Sequence, residues 1–397
     1  MNARLALSLL AGAVLLPLNA SAQDFNAAAP NAPNQRPAFA GQTRAPIIAD
    51  TIALKRNIIA TGFEHPWGMD QLPDGRWLVS ERPGRMRIVT AEGAVSPAIR
   101  GLPEVDARGQ GGLLDVVVRD DFSATRRVWW SYAEPRGAGR NATAVATGVL
   151  SPDGTTMREV EVIFRQQPAW ASTRHFGSRL VFDDKGALFV TTGERSLPEP
   201  RQLAQDVTTH LGKVLRIDPM GGPAAGNPKI AGGLPEIWSY GHRNIQAAAL
   251  GPEGALWTVE HGPRGGDELN RPEPGKNYGW PIITYGEDYS GRAIGQGLTA
   301  HKGMEQPIYY WDPVIAPSGM AFYEGDMFET WQGSALIGGL AGQALVRLTL
   351  ADGRVTGEAR YLQGKGRIRD VDVAADGAVM ILTDANNGAL VRLTPHR

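Results

Sequence analysis

The chain has 397 residues, a mass of 42.6 kDa, a formal net charge of −1 and no cysteine. That length buries a large core, the near-neutral charge gives no electrostatic pull towards nucleic acid or an anionic membrane, and the absence of thiols excludes disulfides and cysteine chemistry. With 49 glycines, 28 prolines and little helical periodicity, the composition favours a turn-rich all-β protein.

Residues 1–22 read as a secretory signal, with Arg4 before an apolar run at 5–18 and Ala20-Ser21-Ala22 as the cleavage pattern. The run is shorter than the roughly 20 residues of a spanning helix, so the expectation is export to the periplasm, with no membrane insertion after signal removal. Residues 23–50 are rich in Ala, Asn, Pro and Gln without periodicity and read as a flexible leader. Residues 51–397 form one repeating domain.

Within that domain an apolar strand, an Asp-Gly-type turn and a second apolar strand recur six times, at 68–89, 113–132, 179–192, 247–260, 319–338 and 370–383. Further strand candidates follow at 85–89, 213–217, 344–348 and 389–393. Six units in 51–397 give about 58 residues each, above the roughly 40–50 of common propeller repeats. The surplus falls at 194–210 and 262–307, beside the polar motifs. The pattern predicts a six-bladed β-propeller of about four strands per blade, with loops from several blades meeting over a central channel. The alternative is two β-sandwiches, which leaves six similar units unexplained.

The polar motifs concentrate at 236–289. Arg243 and Asn244 follow Gly241-His242 and offer an anion-binding end. The Gly-rich run 261–268 exposes backbone carbonyls beside Asp267 and Glu268, the oxygen donors a hard cation selects. Arg367 and Arg369 are two apart, which on a strand places both guanidinium groups on one face; they need an anion between them, or pair with Asp370 or Asp372. His175 is a candidate base near neutral pKa, or a loop histidine bonded to backbone. Gln110 lies between glycines, where an amide approaches a flat ligand closely, or simply forms a turn. Trp67, Trp77, Trp129, Trp130, Trp257 and Trp331 read as packing between blades. Asn141-Ala142-Thr143 matches a glycosylation acceptor to which no meaning is assigned.

The motifs GQGG, RHFGSRL, GHRN, EHGPRGGDE, NYGWP, APSGMAFY and RIRDV, in that order over roughly residues 60–393, resemble the soluble quinoprotein sugar dehydrogenases, and most of all the bacterial aldose sugar dehydrogenase branch. The resemblance implies a six-bladed propeller that binds pyrroloquinoline quinone (PQQ) and Ca2+ and oxidises aldose sugars at the anomeric carbon, with electrons leaving to an external acceptor. It implies His175 as general base and Arg243 at the reacting quinone oxygen. Gln110, Asn244, Tyr289, Gly339, Arg367 and Arg369 become further cofactor contacts. Calcium is implied at the carbonyls of Gly262 and Pro263, and again at Glu268 and the Tyr278 carbonyl. One departure stands out: many relatives have a cofactor-contacting lysine where this chain has Ala341. Competing functions are a calcium-dependent lactonase-type hydrolase and a non-catalytic carbohydrate- or partner-binding propeller; two adjacent arginines argue against the first, and Ala341 lends weight to the second.

Overall fold

The computed structural model describes residues 24–49 and 52–396, so the signal expected at 1–22 lies outside the described residues. Six antiparallel sheets follow one another along the chain. The first comprises β2 (Pro66–Gln71), β3 (Trp77–Glu81) and β4 (Arg85–Val89), and the second β5 (Leu113–Val118), β6 (Arg127–Pro135), β7 (Asn141–Leu150) and β8 (Met157–Arg165). The third holds β9 (Gly177–Phe182), β10 (Leu188–Thr192), β11 (Lys213–Ile217) and β12 (Ile237–Tyr240). The fourth holds β13 (Ile245–Leu250), β14 (Leu256–Glu260), β15 (Asp267–Asn270) and β16 (Tyr309–Trp311). The fifth holds β17 (Pro317–Phe322), β18 (Ala335–Gly339), β19 (Leu345–Ala351) and β20 (Arg354–Tyr361). The sixth is completed across the chain: β21 (Ile368–Val373), β22 (Val379–Thr383) and β23 (Gly388–Pro395) take β1 (Leu54–Phe63) as outer strand, with Leu54 opposite Pro395.

The innermost strands β2, β5, β9, β13, β17 and β21 touch their neighbours in a closed circle. The molecule is therefore a six-bladed β-propeller, as the repeats predict. Each blade is covered on both faces, so its central strands are apolar runs rather than alternating ones; β3, β10 and β14 are buried at every position. Hydrophobic clusters fill all six gaps between blades. Trp130 in the gap between the first and second blades, and Trp331 between the fifth and sixth, are fully enclosed; truncating either to alanine costs about 3–5 kcal/mol. The turns far from the cavity use glycine where the backbone demands it, as at Gly75, whose φ is 85°.

Two features depart from the sequence reading. The first blade has three strands, its edge continued only by a bridge between Val89 and Val95. The segment expected to be a flexible leader packs on the fourth and fifth blades over residues 24–49. Gln42 is buried, donating to the Pro307 carbonyl, and Ile47 pairs with Glu358. Phe25 and Phe39 lie under Arg360 and Arg354.

Inside the ring, Asp115, Asp370 and Asp372 gather around Arg179, with Asp70 close to Asp115 and Asp372. Arg179 Nη1 lies 2.8 Å from Asp115 and 3.0 Å from Asp370. Burial raises Asp372 to about 7, with the charges of Asp370 and Asp115 adding to the effect. Inner-strand glycines make room for this set: a Cβ on Gly68 would fall 2.6 Å from Asp115 Oδ1, and one on Gly319 2.0 Å from Asp370 Oδ1.

Candidate active site

At one mouth of the ring lies a cavity of about 300 Å³ to which all six blades contribute. Trp67, Leu114 and Phe176 supply its apolar wall; Arg82, Gln110, Gln246, His261, Arg367, Arg369 and Asp384 supply polar groups. The sequence places Trp67 in packing between blades, but it sits at the start of β2 and lines the site, backed by Arg179 at 4.4 Å from its ring.

Arg367 and Arg369 do face the same way, yet their partner is neither Asp370 nor Asp372. Both donate to Asp384 Oδ2, at 3.0 Å from Nη2 in each case. Asp384 also meets His65 Nδ1 at 2.9 Å. Burial works against its charge, but Arg369, His65 and Arg367 hold its carboxyl well below the usual range. With Arg82, three guanidinium groups share one carboxylate, leaving the cavity net positive. Arg82 donates to the carbonyls of Gly109 and Gly111 and so ties the Gln110 turn to the first blade. Arg369 is buried and its Nε has no partner among the described residues.

His175 lies beside this cavity rather than in its wall. Its backbone N–H donates to Gln110 Oε1 at 2.8 Å, and its Nδ1 meets Glu194 Oε1 at 2.5 Å. Glu194, which the sequence reading missed, is buried, and its other oxygen accepts from the Ser196 N–H at 3.1 Å. A carboxylate on Nδ1 fixes the tautomer that leaves Nε2 unprotonated. Burial, then the charge of Arg243, lowers His175 to about 4 despite Glu194, so the imidazole is neutral at physiological pH. His261, also missed, lines the cavity, contacts the Pro317 carbonyl at 2.7 Å through Nε2, and is lowered to about 3, chiefly by burial.

Arg243 is held at the end of the His242–Glu260 pair: its N–H donates to Glu260 Oε2 at 2.6 Å. Its Nη1 donates to the carbonyls of His261 and Gly262 at 2.9 and 2.7 Å, and its Nε is buried without a partner among the described residues. Asn244 is buried one step further in, its Oδ1 accepting from the Gly177 N–H at 3.2 Å. Gly339 ends β18 and bonds Ala344; its neighbour Leu340, not Gly339, lines the cavity. Tyr289 is 74% exposed and lies outside the cavity wall. Ala341 is exposed beside Leu340, whose carbonyl accepts from Arg367 Nη1 at 3.4 Å.

The two expected cation sites differ in their donors. Glu260 and Glu268 stand directly opposite one another on β14 and β15, a costly placement for like charges. Asn270 Nδ2 bridges them at 3.0 and 3.1 Å, while its Oδ1 is buried with no partner among the described residues. Burial, then the charge of Glu260, raises Glu268 well above its ordinary value. Two carboxylates and an orphaned amide oxygen fit a hard cation. Tyr278 stacks on His242 next to this group at 4.8 Å. Near Gly262 and Pro263 the protein offers carbonyls only. Asp267 spends its oxygens on the N–H groups of Gly262, Ile315 and Ala316, and the Gly262 carbonyl is shared with Arg243. A cation there depends on oxygens from a ligand. Among the described residues no cluster of three or more His, Cys, Asp or Glu is set to hold a metal, and no helix is long and apolar enough to cross a membrane.

Fold and site together define a six-bladed propeller with a basic, histidine-bordered cavity over its channel. The chain belongs to the glucose/sorbosone dehydrogenase family, whose model matches residues 63–392. It is 43% identical over 344 residues to the aldose sugar dehydrogenase YliI of Escherichia coli, spanning 85% of this chain and 92% of that protein. The crystal structure of the soluble aldose sugar dehydrogenase of Escherichia coli in its apo form superposes with a TM-score of 0.83 at 41% identity, over 87% of this chain and 100% of that one. The PQQ-bound aldose sugar dehydrogenase of Streptomyces coelicolor superposes with a TM-score of 0.71 at 28% identity, with the same coverage.

Proposed function

We propose that this protein oxidises aldose sugars at the anomeric carbon to the lactone, with PQQ and calcium bound, in the periplasm after removal of residues 1–22, and passes the electrons to an external acceptor. The observation that carries this reading is a neutral His175, bonded through Nδ1 to Glu194, beside a cavity lined by three arginines of the adjoining first and sixth blades.

Arg82, Arg367 and Arg369 with Gln110 would hold the carboxylates of the tricarboxylate cofactor against the wall formed by Trp67 and Leu114. The unpartnered Nε of Arg369 and of Arg243 are buried donors that such an acid would satisfy. When bound, PQQ supplies a quinone that accepts hydride, and a calcium ion at the Gly262 and Pro263 carbonyls supplies Lewis acidity. Nε2 of His175 takes the proton of the anomeric hydroxyl while Glu194 stabilises the imidazolium that forms. Arg243, next to His175, faces the negative charge that develops. Asn244 supports the His175 loop through Gly177. Glu268, Glu260, Asn270 and the Tyr278 carbonyl would hold a second, structural calcium that removes the repulsion across β14 and β15.

The test is an absorption spectrum of purified protein mixed with PQQ and calcium, before and after an aldose, together with dye reduction. Binding followed by aldose-dependent reduction is expected. Absence of binding at micromolar PQQ, or of turnover with every aldose tried, refutes the reading.

A further inference from the structure

Next to Glu194 in the chain, Arg195 is 1% exposed. A buried guanidinium loses its hydration and is retained at a cost unless its surroundings answer it. The two acids whose charge bears on Arg195, Glu194 and Asp106, are bridged instead to His175 and Arg108. What Arg195 does touch is the turn that carries His175. Nε donates to the Arg174 carbonyl at 3.1 Å, and Nη2 to the Ser172 carbonyl at 2.6 Å and to Asn141 Oδ1 at 2.6 Å. Its guanidinium lies 3.9 Å over the ring of Phe176. In return, the Ser172 hydroxyl donates to the Arg195 carbonyl at 2.6 Å. Residues on both sides of His175 are thus gripped by one side chain.

That grip meets a specific need. His175 has a φ of 51°, a left-handed conformation that a residue with a Cβ adopts at a cost and keeps only when its surroundings impose it. The Glu194 bond sets the rotation of the imidazole but not the path of the backbone beneath it. Asn141 completes the frame: while its Oδ1 accepts from Arg195, its Nδ2 donates to Asp106 at 2.7 Å, which is why this residue of a glycosylation-like triplet is wholly buried. Were packing the only requirement, an apolar side chain would meet it without the desolvation cost.

We propose that Arg195 is a positioning residue for His175: it fixes the left-handed turn on which the imidazole is mounted, while its neighbour Glu194 fixes the ring. This rests on the reading of His175 as the base. The side chain of Arg195 does not line the cavity.

The experiment compares Arg195→Ala, Arg195→Lys and His175→Ala in the mature protein, using turnover, PQQ titration and the imidazole 15N spectrum of the apo protein. For Arg195→Ala, kcat is expected to fall about 100-fold, the cost of misplacing a reacting group by about 1 Å, with KM and PQQ affinity held within about threefold. Methylguanidinium should restore kcat about tenfold in Arg195→Ala and leave His175→Ala unaffected. The His175 15N signal should broaden or divide between tautomers in Arg195→Ala. Should Arg195→Ala not fold, Arg195→Lys, which keeps the charge but loses the fork, is expected to show the same split between kcat and affinity. A kcat within about threefold of the parent, or parallel losses of kcat and PQQ affinity without rescue, overturns the proposal. If His175→Ala retains turnover, the base assignment fails on its own; the 15N spectrum then decides, and an unchanged His175 signal in Arg195→Ala overturns the positioning role.

Discussion

Glu194→Gln is the sharpest test of the proton-accepting pair. The substitution keeps size and removes charge at an oxygen 2.5 Å from His175 Nδ1. Its outcome follows from the second oxygen. Glu194 Oε2 accepts the Ser196 N–H, so a glutamine keeps its carbonyl there and turns its NH2 towards Nδ1. Nδ1 must then accept, which places the proton on Nε2 and removes the lone pair that takes the sugar proton. Loss of the charged hydrogen bond alone is worth about 1.5–3 kcal/mol; adding the wrong tautomer brings the expected fall in kcat to the order of 10³–10⁴. PQQ affinity should hardly move, since Glu194 does not line the cavity. The pH profile carries a second signature. Turnover in the parent should be lost only as the pH drops towards about 4, where His175 protonates. Glu194 raises His175, so any activity left in the variant should persist to lower pH. Dye-coupled rates from about pH 3.5 to 8, spanning the range in which histidine titrates, read both effects. A kcat within threefold of the parent, with the acid limb unmoved, would show that Glu194 does not set the tautomer.

Arg369→Met removes a buried charge with a free donor, and PQQ titration should show affinity weakened by about 1.5–3 kcal/mol, tenfold or more. Ala341→Lys, beside Leu340, should strengthen binding by up to a similar amount in the same assay; no gain would mean that Arg367 already fills that role. Chelation of calcium should lower the melting temperature of the parent, and Glu268→Gln, which removes the charge facing Glu260, should abolish that response. Asp372 is raised from 3.8 to about 7, so between those values the folded protein keeps a proton that the unfolded chain has released. Its contribution to stability is therefore lost as pH rises through this window. Asp372→Asn should accordingly match the parent near pH 4 and exceed it at pH 8 in denaturant unfolding, by about 1.4 kcal/mol for each tenfold difference in the carboxylate's proton affinity between the folded and unfolded chain.

The architecture was legible because each blade repeats a local signal. Asp-Gly-type turns between apolar runs mark the inner hairpins, and these fall on β2–β3, β5–β6, β9–β10, β13–β14, β17–β18 and β21–β22. The site was legible where one motif carries its own logic: Arg367 and Arg369, two apart, do converge. Their partner was not legible, because Asp384 lies just past β22, the other arm of the hairpin that β21 begins, and only the register of that pairing, with Ile368 opposite Thr383, sets it beside them. Glu194 and His261 sit just past β10 and β14, in loops between strands of a single blade whose course no strand periodicity describes. Trp67 looked like packing because period-two alternation does not say which end of an inner strand borders the mouth. The leader misled through composition: Ala, Pro and Asn build no core of their own, yet residues 24–49 find one already made by the fourth and fifth blades.

Because β1, ahead of the first blade, is clasped by β23, a growing chain cannot complete its sixth sheet until Gly388–Pro395 has left the ribosome. Until then the early strand has no partner in any sheet, and the five sheets before the sixth form an arc that β1 cannot yet close. Deleting β23 would therefore do more than fray an edge: it would free β1 from the sixth sheet and undo the closure of the ring whose mouth all six blades line.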